Sequence, residues 1–271
     1  MISFIGAGPG AEDLLTLRGA DRLGRADIVV WASSLVPEAM LSHASPSAEI
    51  FDSATMTLED VVALYEKNPS ARIARLHSGD PSLYGAIQEQ IGWCRRSGRE
   101  YEIVPGVSAF AAAAAVLGRE LTIPGVSQSV VLTRQASRTK ASVPAGESLA
   151  AMAAHGVTMA VFLSAARPRA LQEELLCTPS AYGPDTPAVV VWKVSWPEER
   201  TCVTTVGNLA DTILGLGETK TVLVLVGDAL ATDTFGRSHL YNPTFAHAFR
   251  RRSAPGSESG RPRAGRRQDG A

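Results

Sequence analysis

Cysteine is scarce in this 271-residue chain, and the three present, Cys94, Cys177 and Cys202, are far apart and odd in number. That excludes a disulfide framework, and the absence of any Cys-x-x-Cys or His-x-x-Cys spacing removes a zinc site. They are expected to be buried thiols in a reducing compartment. Long apolar runs are also missing: the longest, Ala109 to Leu117, is about half of what a membrane span needs. The first residues carry no basic segment and their apolar stretch breaks at Gly6, so no signal peptide is expected. No Gly-Lys-Ser/Thr step occurs, which excludes a P-loop. Net charge is small, with 26 basic against 27 acidic residues, but unevenly spread. Arg250 to Ala271 holds seven arginines against Glu258 and Asp269, leaving the body acidic and unsuited to general nucleic-acid binding. A soluble, cytoplasmic protein without nucleic-acid or membrane partners is the expectation.

Glycine, by contrast, is concentrated where it has meaning. The stretch Ile5 to Leu17 reads IGAGPGAEDLLTL and follows a short apolar strand, with a helix expected to begin directly after it. Gly6, Gly8 and Gly10 within five residues make a loop whose backbone a ligand can approach closely. Gly6, Gly8 and Ala11 also satisfy the dinucleotide pattern G-x-G-x-x-G/A. Against that, Glu12 and Asp13 place negative charge where phosphates would sit, and the second strand ends in Trp31-Ala32-Ser33-Ser34 without an acid for a ribose. The two acids alternatively complement a helix dipole in a purely structural loop.

Strands and helices then alternate at spacings that predict a mostly parallel sheet. Thr57 to Lys67 carries Leu58, Val61, Val62 and Tyr65 at helical spacing, with Thr57 as N-cap. Two further strands end in special loops, Ser78 to Pro81 and Pro105 to Ala109. In an open parallel sheet the carboxyl ends of the strands share one edge, so these loops and the first can converge on one crevice. Their glycine-rich parts supply no lysine or arginine and Asp80 adds a carboxylate, which suits a zwitterionic or cationic ligand better than a polyphosphate.

The rhythm pauses near Leu121 to Gly125, giving domains at 1–120 and 121–245. In the second, a basic polar loop runs from Arg134 to Pro144, and Trp192 to Glu199 reads as a connection between antiparallel strands, so a mixed sheet is expected. Residues 246–271 are rich in Arg, Gly, Ser and Pro, and too poor in apolar side chains to order themselves, which predicts a disordered basic tail.

IGAGPGAEDLLTLRG at Ile5 to Gly19, RLHSGDPSLYG at Arg75 to Gly85 and VPGVSA at Val104 to Ala109 resemble the three signatures of the tetrapyrrole methylases. The resemblance implies an α/β enzyme of two α/β domains, the first mostly parallel and the second mixed, working mostly as a homodimer. S-adenosylmethionine is expected in the cleft between the domains. It implies cofactor contacts at Pro9, Ser78, Gly79, Asp80, Leu83, Ser108 and Ala109, and at Leu163 and Val194 in the second domain. ASSLVPEAM (Ala32 to Met40), TRQASRT (Thr133 to Thr139) and VVVWKVSWPEERTCVTTV (Val189 to Val206) are similar to the branch acting on C-11 of precorrin-4 in corrin synthesis. In the basic loop Gln135 is extra relative to that branch's pattern and the expected glycine is missing.

Methyl transfer from a sulfonium needs positioning and exclusion of water more than an acid–base pair. No nucleophile or triad stands out, and no catalytic residue is assigned. A polycarboxylate macrocycle approaching an acidic body needs local cations. Arg134, Arg138 and Lys140 are the candidates, with His77 and Arg119 behind them. The loop can equally be a solvated turn, and His77 a packed strand-end residue. Cobalt-precorrin-4 as substrate, a flavin- or nicotinamide-dependent oxidoreductase resting on the glycine pattern, and an RNA adaptor resting on the tail are the competing readings.

Overall fold

The computed structural model describes residues 1–135, 143–233 and 237–262. Strands β1 (Ile2–Gly6), β2 (Ile28–Trp31), β3 (Glu49–Asp52), β4 (Ile73–His77) and β5 (Tyr101–Val104) form a five-stranded sheet in the order β3-β2-β4-β1-β5, every pairing parallel. Strand β1 is buried along its whole length because helices cover both faces of the sheet. On one face Ile2, Phe4 and Ile73 pack with Val61 and Tyr65 of α2 (Leu58–Lys67) and with Ile91 and Cys94 of α3 (Gln88–Ser97). On the other, Ile5, Val29 and Leu76 pack with Leu23 of α1 (Leu17–Gly24) and with Met40. Thr57 caps α2 as expected, in a reciprocal box with Asp60.

The order of the strands sets the place of the crevice. From β1 the chain crosses β4 to reach β2, whereas from β4 it crosses β1 to reach β5. Connections leaving neighbouring strands in opposite directions open a gap at their carboxyl ends.

The second sheet is mixed, β6 (Val130–Arg134), β7 (Thr158–Phe162), β8 (Pro187–Trp192), β9 (Arg200–Thr205) and β10 (Val222–Val226) lying in the order β6-β7-β10-β8-β9. Only β6 and β7 pair in parallel; the β8–β9 hairpin runs in register from Pro187↔Thr205 to Trp192↔Arg200, as the intervening turn residues suggested. One face is closed by α5 (Leu149–Ala153), α6 (Pro168–Leu176) and α7 (Leu209–Leu216), through Ala153, Leu171, Leu175 and Ile213.

The other face is covered by a helix from the first half of the sequence. Helix α4 (Ala109–Val116) directly follows the loop after β5, yet Ala112 and Ala113 pack against Ala160, Val189, Val191 and Leu223 of the second sheet. Placing α4 with the first domain on sequence order alone therefore misses its packing. Alanine here lets the helix backbone come close to the sheet, and it brings Ser108 and Ala109 to the border between the halves.

Several expectations are corrected by these packings. Among the cysteines Cys94 is buried, but Cys177 is exposed and Cys202 half-buried. Within 246–262, where a coil was expected, Arg250–Arg251 pairs antiparallel with Arg261–Pro262. The Arg250 guanidinium donates to the carbonyls of Leu240 and Asn242, so one arginine supplies the cross-link that apolar burial does not. Among the described residues no helix is long and apolar enough to cross a membrane.

Candidate functional site

The chain does not run directly from the first glycine loop into a helix. Glu12–Leu14 forms one 3-10 turn, and α1 starts only after Thr16, whose hydroxyl accepts the Gly19 N–H at 3.1 Å. No helix N-terminus therefore points out of the loop as a pyrophosphate site requires. The loop is instead zipped to its neighbour after β4. Ala7 N–H donates to the His77 carbonyl (2.8 Å), Gly79 N–H to Gly8 (2.7 Å) and Gly8 N–H to Gly79 (3.2 Å). Gly8 and Gly79 take left-handed backbone, at φ 75° and 65°, where a side chain would be strained.

The third loop touches the other two through glycine backbone. A Cβ added to Gly6 would lie 2.5 Å from Gly106 Cα, and one added to Gly106 would lie 2.7 Å from Gly6 Cα and closer still to the Gly79 carbonyl. Asp80 fastens this junction, its carboxylate accepting the N–H groups of Gly106 at 2.9 Å and Ser82 at 2.7 Å. Burial pushes that carboxyl up, but these hydrogen bonds more than compensate and leave it below its ordinary value.

Between the three loops and the second sheet lies a cavity of about 300 Å³. All nine residues expected to contact a cofactor line it: Pro9, Ser78, Gly79, Asp80, Leu83, Ser108, Ala109, Leu163 and Val194. The walls are mainly apolar with a few polar groups, and the volume is at the lower end of small-molecule sites. Four of the six non-glycine residues at positive φ among the described residues line the same cavity, Tyr84, Leu163, Lys193 and Thr221. Each such backbone costs about 1–3 kcal/mol and persists only where surrounding contacts impose it.

The residues considered for substrate binding are placed differently from one another. Arg134 ends β6 opposite Phe162, and its charge opposes the upward push that burial gives the Tyr84 hydroxyl, so it stands within electrostatic reach of the cavity mouth. Tyr84 and Phe162 meet there at a tilt of 50°, with ring centroids 5.3 Å apart. Arg138 and Lys140 lie outside the described residues. His77 does not reach the cavity wall. It is buried against Phe4, and burial first, then the Arg75 charge, hold it down at about 3, so it is a neutral packed residue. Arg119 is likewise held away from the wall, donating to the Thr232 carbonyl and pairing with Asp233, each at 2.9 Å. The extra Gln135 is buried between Ser164 and Leu171; with its amide assigned so that both ends find complementary partners, the nitrogen donates to the Ser164 carbonyl at 3.1 Å and the oxygen accepts the Leu171 N–H at 2.9 Å.

Residues 1–210 match the family model of the Tetrapyrrole (Corrin/Porphyrin) Methylases. The chain belongs to the tetrapyrrole methylases. It is 44% identical over 245 residues to the precorrin-4 C(11)-methyltransferase of Rhodococcus erythropolis, covering 90% of this chain and 97% of that protein. Among solved structures it is similar to a cobalt precorrin-4 methyltransferase described as a cobalamin biosynthetic enzyme. That likeness has a TM-score of 0.80 and 40% identity, over 85% of this chain and 96% of that one. It also resembles the uroporphyrin-III C-methyl transferase of Thermus thermophilus complexed with S-adenyl homocysteine, with a TM-score of 0.69 and 25% identity over 85% and 93% of the two chains.

Two contacts in this tetrapyrrole methylase escape a reading of the loops alone. Trp196 Nε1 donates to the Pro9 carbonyl at 2.9 Å, and Ser195 Oγ accepts the Ala11 N–H at 2.9 Å. The turn after β8 is thereby fastened to the first glycine loop, more than 180 residues earlier. The signal available in the sequence was Ser195-Trp196-Pro197, a bulky aromatic in a turn, which resists explanation until Gly10 is seen beneath its ring.

Proposed function

We propose that the chain is an S-adenosylmethionine-dependent methyltransferase that methylates C-11 of precorrin-4, giving precorrin-5 in cobalamin biosynthesis. The single observation that carries this reading is the cavity in which all nine cofactor candidates meet, between a triple glycine junction and the second sheet.

The cavity suits the donor. Gly6 and Gly106 leave the loop backbones bare and close-packed, and Asp80 is the one acid among the described lining residues. The glycine loops themselves offer neither lysine nor arginine at the wall; the lysines among the described lining residues, Lys193 and Lys220, come from the second domain. Pro9, Leu83, Ala109 and Val194 supply apolar surface for flat or aliphatic parts, with Ser78 and Ser108 for polar ones. When bound, the donor supplies a sulfonium methyl whose carbon–sulfur bond breaks as the new carbon–carbon bond forms, leaving a neutral thioether.

The protein's part is to align and to exclude water. The glycine junction ties the three loops to one another, and Trp196 and Ser195 tie the second sheet to them, so both reactants meet surfaces cross-linked by hydrogen bonds. Holding two reactants at attack distance is worth up to about 7–11 kcal/mol of barrier, which makes a dedicated acid–base pair unnecessary. His77, neutral and buried, and Asp80, with both oxygens engaged by backbone, are not placed to act as one. Tyr84, Phe162 and exposed Leu163 form an apolar wall on which a partly conjugated macrocycle would rest, with Arg134 beside them for a peripheral carboxylate.

Incubation with methyl-labelled donor and precorrin-4 tests the reading: label should enter the macrocycle with equal release of S-adenosylhomocysteine. Donor binding without transfer to this substrate would remove the substrate assignment. The likeness to a cobalt precorrin-4 methyltransferase favours the cobalt compound as a second reading with the same chemistry. A homodimer in the cytoplasm completes the proposal, and light scattering at the mass of one chain would contradict that part.

A further inference from the structure

Among the described residues two lysines line the cavity, Lys193 and Lys220, and neither belongs to the basic loop that the sequence singles out. Lys220 is exposed, whereas the Lys193 side chain keeps only 24% of its surface. Its ammonium is held on three sides. It lies 4.8 Å from the ring centroid of Trp196, 5.0 Å from that of Trp192, and 3.5 Å from the Glu198 carboxylate. The two rings attract a cation through their faces but leave its hydrogen-bond donors unspent. Glu198 is more than half exposed, so that pair is weak and exchangeable.

The backbone is arranged to put this cation here. Lys193 is left-handed at φ 48°, and its N–H donates to the carbonyl of Thr221, itself at φ 54°. A lysine in such a conformation is uncommon, and glycine or asparagine would relieve the strain. Trp196 meanwhile cannot drift, because Nε1 is bonded to Pro9 and the Ser195 N–H to Glu199 at 2.6 Å. The ammonium is thus fixed relative to the glycine loop. Among the described residues the lining charges are Lys193 and Lys220 against Asp80, whose oxygens already hold Gly106 and Ser82, so the wall carries more positive than negative charge.

We propose that Lys193 is a carboxylate anchor, an ammonium held by two tryptophans that binds and orients a ligand carboxylate in the cleft. The inference rests on the methyltransferase reading above, under which that carboxylate belongs either to the amino-acid end of the donor or to the rim of the macrocycle. Lys193 is a binding and positioning residue, and no proton leaves it.

Lys193→Met keeps the stem and removes the charge, while Lys193→Arg keeps the charge. Calorimetry with S-adenosylhomocysteine and with its decarboxylated analogue, together with methyl-transfer kinetics on the macrocycle, reads the effect on otherwise intact protein. Loss of one charge-assisted hydrogen bond predicts about tenfold to a hundredfold weaker binding. If K193M weakens S-adenosylhomocysteine by that factor and leaves the decarboxylated analogue unchanged, the anchor serves the donor. If both bind as in the wild type while KM for the macrocycle rises by that factor, it serves the acceptor. Substantial restoration by K193R supports the charge in either case, and an equal thermal midpoint shows that the fold is intact. Unchanged donor affinity and unchanged macrocycle KM in K193M would overturn the inference while leaving the methyltransferase reading standing. Should K193M melt below the assay temperature, Glu198→Gln replaces it, predicted to tighten the same carboxylate by freeing the ammonium; no change would overturn the proposal. Wild-type protein that neither binds S-adenosylhomocysteine nor transfers methyl would defeat the underlying reading instead.

Discussion

Replacing Gly106 by alanine isolates the triple glycine junction, because Gly106 is not at positive φ and the new methyl acts through contact alone. Its Cβ would sit 2.7 Å from Gly6 Cα and closer to the Gly79 carbonyl, both of them backbone. Non-bonded carbons rest at about 3.5–4.0 Å, so one of the loops must retreat by roughly 1 Å. Overpacking of this kind costs about 1–3 kcal/mol of stability. Each kcal/mol lowers the melting temperature of a domain this size by about 2–4 °C. Gly79 lines the cavity, so the displacement reaches the donor site directly, and a misplacement of about 1 Å costs on the order of a hundredfold in rate. Calorimetric titration with S-adenosylhomocysteine and steady-state methyl transfer read the two consequences. Gly215→Ala serves as control, since nothing lies within 4 Å of its added Cβ and it sits inside α7 at negative φ. Gly106→Ala with wild-type donor affinity and wild-type turnover would refute the claim that bare backbone contact between the loops shapes the site.

Three other outcomes follow from the same geometry. Asp80→Ala should lower both the melting temperature and donor affinity, because two backbone N–H groups lose their acceptor, each worth about 1–3 kcal/mol at most; a loss of affinity with an unchanged midpoint would make Asp80 a direct ligand contact. Trp196→Phe keeps an aromatic ring but removes the indole N–H that bonds Pro9 and part of the packing over Gly10, and should cost at least about 1 kcal/mol in thermal or denaturant unfolding; an unchanged stability would mean that this side chain does not hold the halves together. His77 should show no titration in proton NMR between pH 5 and 8, since burial holds it at about 3. The unfolded chain binds that proton near 6.5 and the folded chain only near 3, so His77 contributes stability that falls as pH is lowered through this window. A His77 resonance titrating near 6.5 would contradict its burial.

What the sequence made legible follows the chemistry of glycine and the periodicity of apolar residues. Gly6, Gly8, Gly79 and Gly106 mark close backbone approach, and the alternation of strands and helices places their loops on one sheet edge, so that half of the cavity was accessible from residue types alone. The other half was not. Leu163, Lys193 and Thr221 take left-handed backbone that glycine would have announced and these residue types conceal. Helix α4 follows β5 in the chain, and only the smallness of Ala112 and Ala113 hints that it packs on a sheet not yet built at that point. His77 and Arg119 carry the right charge types for a polyanion, but one is turned into the core and the other is paired with Asp233. Direction of a side chain at a strand end depends on register, which residue type does not encode. Trp196 is the instructive case: its role depends on Gly10 and Pro9, far away in sequence, and neither partner explains the other without the fold.

The measurement that bears most directly on the central claim is transfer of a carbon-13 methyl from S-adenosylmethionine to precorrin-4 and, in parallel, to cobalt-precorrin-4, with the label located by carbon NMR. The account predicts label at C-11 of the metal-free compound, with turnover reduced in Gly106→Ala. Label on the cobalt compound alone would move the enzyme to a different substrate with the same site. No transfer to either, by protein that binds S-adenosylhomocysteine, would contradict the claim that this cleft methylates the corrin precursor.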